Sequence, residues 1–76
     1  MEIQAGTLLE CETAGGRHVV MRALGPPEQG QDFRVVRVCT QEEFGRAERA
    51  GEEPSAIPWP YSAVLRVLGK PNLATK

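Results

Sequence analysis

The hydrophobic period of this chain changes at Thr40, and that change limits what it can fold into. From Thr40 the segment "TQEEFGRAERAG" carries a complete set of helix signals. Thr40 is an N-cap residue, and Glu43, three residues on, completes a capping box by reaching back to the cap. Glu42 and Glu43 fall in the first turn, where the helix dipole favours acids. Phe44, Ala47 and Ala50 recur at helical spacing as a narrow apolar stripe. Gly51 is placed to end the helix in the left-handed conformation. The spacing predicts a helix over 41–50, weakened by Gly45 by about 1 kcal/mol relative to Ala.

Everything before Thr40 reads as strand and turn. In "GTLLECET" (6–13) Leu9 and Cys11 share one face, and Glu10 and Glu12 share the other. "AGG" (14–16) tolerates positive φ, so this strand and "RHVVMRAL" (17–24) form a hairpin. The prolines of "GPPEQGQ" (25–31) stop the second strand and open a loop. "DFRVVRVCT" (32–40) is the third strand, but strict alternation fails in it. Val35 and Val36 are adjacent, and Arg34 and Arg37 fall on opposite faces. Either the strand is covered on both sides or a bulge shifts its register. After the helix, "EEPSAIPWP" is extended because residues before proline avoid helix. "YSAV" fits one tight turn, and "VLRVLG" (64–69) is the last strand. Residues 1–70 make one small domain, and 71–76 read as a frayed, flexible tail.

A chain of 76 residues holds one domain with a small core. Such a chain hides only about 60–65% of its unfolded surface. No apolar run nears the roughly 20 residues that cross a bilayer, and "MEIQAGTLLE" lacks a signal-peptide pattern, so a cytoplasmic location and no membrane partner are expected. Arginine makes up seven of the nine bases and Ala and Gly are abundant, a composition expected of a GC-rich bacterial genome. Five acids sit at 42, 43, 48, 52 and 53 against Arg46 and Arg49, leaving seven bases against five acids elsewhere. That body is too weakly basic to predict nucleic-acid binding by itself.

Cys11 and Cys39 each sit in a strand pattern and read as buried free thiols in a reducing compartment. The alternative is a disulfide between neighbouring strands. Two cysteines and one histidine are too few for a closed zinc site, so no metal is expected. His18 is the only histidine, beside Arg17 at a strand end. A Cys11–His18 nucleophile–base pair lacks a third group to orient the ring, so no catalytic residue is expected. "AGGR" lacks the spacing of a phosphate loop and no cofactor is expected. The arginines at 17, 22, 34, 37 and 66 lie on strand patterns, where nucleic acid is the rival partner. Phe33 is the only aromatic on those strands, so a stacking platform is lacking.

"AIPWPYSAV" (56–64) gathers two prolines with the only tryptophan and the only tyrosine. Trp59 is either a plug for a small core or, with Tyr61, an anchor for a partner. The strands through "GTLLECETAGGRHVVMRALG" and "FRVVRV", followed by "WPYSAVLRVL", resemble the SH3-like small barrels that include KOW- and Tudor-type modules. In such barrels a short helical turn often precedes the closing strand, where "PYSAV" stands. The helix at 41–50 departs from that pattern, as an insertion between strands or a substitute for a strand hairpin. The fold expected is mostly β with one short helix, an antiparallel SH3-like open barrel of four or five strands. The role expected is a non-enzymatic protein-binding or adaptor module, with another protein or a second copy as partner and Trp59, Tyr61, Arg34 and Arg37 as binding residues. The alternative is a nucleic-acid-binding regulator using the strand arginines.

Overall fold

Thr40 ends one element and starts the next. Its backbone is extended (φ −68°, ψ 159°), and its hydroxyl accepts the Glu43 N–H at 3.0 Å. The structure, a computed structural model, describes residues 2–69, so the tail expected at 71–76 lies outside the described residues. Strands β1 (Leu8–Glu12), β2 (His18–Ala23), β3 (Glu28–Gln29) and β4 (Arg34–Thr40) precede helix α1 (Gln41–Ala50). Strand β5 (Ile57–Pro60), a 3₁₀ turn (Tyr61–Ala63) and β6 (Val64–Gly69) follow it. Gly51 closes the helix at φ 69°, and its N–H bonds the Ala47 and Glu48 carbonyls.

All six strands form one antiparallel sheet. Val35 faces Glu28 on one side and Pro60 on the other, and Val38 faces Ala23 and Ile57 in the same way. β2 and β3 therefore share one side of β4, and β5 takes the other. The sheet has five columns, β5, β4, β2 with β3, β1 and β6, curled into a half-barrel. This half-barrel is compatible with an SH3-like fold, including the 3₁₀ turn before the last strand. The helix joins β4 to β5, which pair directly with each other, so it is an insertion in a hairpin connection and replaces no strand.

The two faces of β4 are unlike: on the outer one Val35 is half-buried and Arg37 exposed. Val36 and Val38 are buried in the core, while Cys39 is buried on the opposite face. There α1 packs against β2 and β4, and Arg22, which faces Cys39, lies over the Phe44 ring. The outer face of β4 is thus covered at its Cys39 end, and its ladders to β2 and β5 run without a register shift. The bulges lie in β6 instead, where the pairing with β1 shifts between Leu8 and Leu9 and between Glu10 and Cys11. Such shifts bend and twist a strand, which helps a small sheet curl.

The core joins Leu9 and Cys11 of β1, Met21 and Ala23 of β2, Val36 and Val38 of β4, Val64 of β6 and Ile3. Cys11 points into it, whereas Cys39 lies on the helix side, with β2 between their strands. A bridge between them would need Cα atoms within about 7 Å, which this arrangement does not permit without backbone movement. Both are free. Burial pushes the Cys11 thiol up to about 11 and raises that of Cys39 as well, so neither is a ready nucleophile. Phe33 precedes β4 and is 55% exposed, so the large core side chain near the sheet's rim comes from elsewhere.

Candidate partner-binding site

Trp59 supplies that side chain. It faces Val36 in the β4–β5 ladder, and side chains at facing positions share one side of the sheet, so its ring turns inward. The ring is partly buried and packed on the core. Its Nε1 is buried without a hydrogen-bond partner. Ile57 faces Val38 and also turns inward, but is left 43% exposed. Between these side chains and the end of β1 the half-barrel is open. A groove of about 360 Å³ is lined there by Ile57, Pro58, Trp59, Pro60 and Ala63 on one side. Glu12, Thr13 and Ala14 line the other. Glu12 is exposed and makes no ion pair among the described residues.

The hairpin turn holds the second wall in place. Thr13 N–H donates to the Arg17 carbonyl at 2.8 Å, and Gly16, at φ 82°, donates to the Thr13 carbonyl at 2.9 Å. The first wall is stiff because two of its four strand residues are prolines with φ locked. A wider, shallow depression of about 600 Å³ runs over the helix between Thr40 and Arg49. Thr40, Gln41, Glu43 and Arg46 of its lining are bonded within the fold, and it lacks the apolar wall and the aromatic floor of the groove.

The four residues expected to bind a partner do not form one surface. Trp59 lines the groove, and Tyr61 opens the 3₁₀ turn, packed on the core. The Arg34 guanidinium lies over the Tyr61 ring, 4.7 Å from its centroid. Arg37 faces Pro58 on the side of the sheet away from Trp59. Ile57, Ala63 and the wall from Glu12 to Ala14 were not among the expected site residues. Ile57 and Ala63 belong to the same short segment as Trp59, whereas nothing local marks the far wall.

Two strand arginines are engaged within the fold. Arg22 donates to the Gly6 carbonyl at 2.9 Å, and Arg66 donates to Glu10 at 2.7 Å. Glu10 also meets His18 Nδ1 at 3.1 Å, and the Arg66 bond leads in holding its carboxyl below the ordinary value. His18 and Cys11 lie on opposite faces of the sheet, so the nucleophile–base pair does not form. Among the described residues no group of three or more His, Cys, Asp or Glu is placed to hold a metal, and no helix is long and apolar enough to cross a membrane.

Glu43 secures the approach to β5. It does not reach back to Thr40 as the capping box predicts. Its carboxylate instead accepts from Arg46 at 2.8 and 2.9 Å and from the Ser55 N–H at 2.9 Å. Arg46 also pairs with Glu52 at 3.0 Å. The helix thereby grips the segment that feeds β5. The Arg46 bond, then the Ser55 N–H, lowers the Glu43 carboxyl from 4.5 to about 2. A depressed folded-state value stabilises the fold above the unfolded value and loses that contribution as pH falls through the folded one. Wild type should therefore exceed Glu43→Gln in stability most clearly at neutral pH, and the difference should shrink as pH falls from 4.5 and vanish only below about 2. Urea melts of both proteins across that range check this; a gap independent of pH would remove the carboxylate from the account.

Comparison with protein-family models, curated proteins and solved structures gives no significant match.

Proposed function

We propose that this chain is a non-enzymatic protein-binding module of the adaptor kind. It holds an extended segment of another protein in the groove between β5 and the β1–β2 turn. The observation that carries this reading is the groove itself: open, largely apolar, stiffened by Pro58 and Pro60, and floored by a partly buried tryptophan. Tryptophan is prominent among residues that anchor interfaces, and a preset wall loses little entropy on binding. Glu12 at the rim favours a segment with an apolar anchor and a neighbouring basic residue. The likeness to KOW- and Tudor-type modules belongs to the same proposal and rests on strand order and the 3₁₀ turn. A nucleic-acid reading is less well supported, because Arg22 and Arg66 are engaged in the fold and Arg34 and Arg37 do not converge on one surface.

Selection from a random peptide library on the folded protein tests this. Peptides should be enriched whose affinity falls at least about tenfold on Ile57→Asp, a substitution at an exposed groove position. That affinity should change little between about 50 and 500 mM salt, whereas phosphate contacts would weaken steeply. No enrichment, equal binding by Ile57→Asp, or salt-steep binding of a random single-stranded oligonucleotide would overturn the proposal.

A further inference from the structure

Both long edges of this sheet could template another strand, since an unpaired edge presents a row of N–H and C=O groups. β5 is the edge that borders the groove, so what it can offer decides how an occupant is held. Its orientation follows from one bond. Leu24 N–H donates to the Arg37 carbonyl at 2.8 Å, so the backbone groups of Arg37 point towards β2. Successive residues of a strand point their backbone groups to alternate sides. Val36 and Val38 therefore point towards β5, and their facing residues, Trp59 and Ile57, return those bonds. Pro58 and Pro60 alternate with them, so their nitrogens lie on the free edge of β5, where a proline has no hydrogen to donate. The two prolines cost the β4–β5 ladder nothing and remove every outward donor between Ile57 and Pro60.

The opposite edge is blunted by other means. β6 carries two register shifts, and bulges twist an edge away from regular pairing. Its one charge, Arg66, is held by Glu10.

We propose that Pro58 and Pro60 close the free edge of β5 to strand addition, by a second copy of this chain above all. A segment entering the groove is then read through its side chains and not through a backbone ladder. This concerns the edge alone and needs no bound partner, so it stands or falls separately from the protein-binding reading.

The test compares the full-length chain with Pro58→Val/Pro60→Val by sedimentation and amide hydrogen exchange. Wild type should keep unchanged Ile57 and Trp59 amide signals from about 20 μM to about 1 mM, as a closed edge requires. The double variant should pass from one chain of 8.3 kDa to a larger species over the same range. Its new residue-58 amide should exchange freely when dilute and at least about tenfold more slowly when concentrated, as an edge donor becomes paired. Should the double variant not fold, Pro58→Val alone provides the same amide. Three results would each overturn the proposal: a residue-58 amide already protected in the dilute protein, a variant that never associates, or concentration-dependent Ile57 and Trp59 shifts in wild type.

Discussion

Trp59→Ala is expected to remove about 3 kcal/mol or more of stability, the usual range for truncating a large aromatic in a core. A domain of 76 residues holds about 4–11 kcal/mol in total, so the variant should be close to unfolding. The ring packs on the core from the inner face of β5, opposite Val36, and of the other aromatics Tyr61 alone also packs on that core, from its own place in the 3₁₀ turn. Phe33 is exposed, and Phe44 lies on the helix side beneath Arg22. Trp59→Phe separates ring volume from the indole N–H. It loses packing area but also removes a buried donor that has no partner, and an unsatisfied donor costs about 1–3 kcal/mol. The two effects oppose each other, so Trp59→Phe should cost no more than about 1 kcal/mol, well below the alanine variant. Denaturation followed by circular dichroism decides the matter, since fluorescence is lost with the residue. An alanine variant as stable as wild type would make Trp59 a surface anchor and nothing more.

What was legible in the sequence was what is local. The cap at Thr40, the apolar stripe and Gly51 lie within one short segment, and the helix ends where they place it. The hairpin of β1 and β2 was equally readable from alternation and glycines. The pairing of β5 was not, because prolines argue against a strand unless the register turns their nitrogens outward. That register is set by β4, a long-range partner. β3 is two residues inside what reads as a loop, and only its position beside β4 makes it a strand. The adjacent valines of β4 left two explanations open, and the unshifted ladders on both its sides rule out the bulge. Glu43 departs from the capping box because Arg46 and the Ser55 N–H offer it stronger partners than the cap. For the site, Trp59 and its prolines stood out as a rigid aromatic segment. The wall at Glu12, Thr13 and Ala14 did not, because curling of the sheet brings it across from β5.

Leu9→Ala should be as damaging as any substitution in the chain, at about 2–5 kcal/mol, the range for deleting a fully buried leucine. The "LL" at 8–9 makes this a test of register as well as of packing. Leu9 is fully buried, facing Met21 in β2 and Val67 in β6, while Leu8 faces Arg22 and Gly69 on the outer side. A slip of one residue would exchange the two, because side chains alternate between faces. The cavity left at Leu9 has little means of collapse. Its β2 neighbour is tied between two other strands, and β6 is bent by a shift on either side of the Val67–Arg66 pairing. Leu8→Ala should cost about 1 kcal/mol or less, since its side chain is only partly removed from water. Urea midpoints for both variants, compared at equal slope, give the answer. Equal losses, or a larger loss at Leu8, would mean that β1 is out of register and that Cys11 does not face the core. Glu12, Thr13 and Ala14 would then be carried out of place, and the groove that supports the binding reading would lose its second wall.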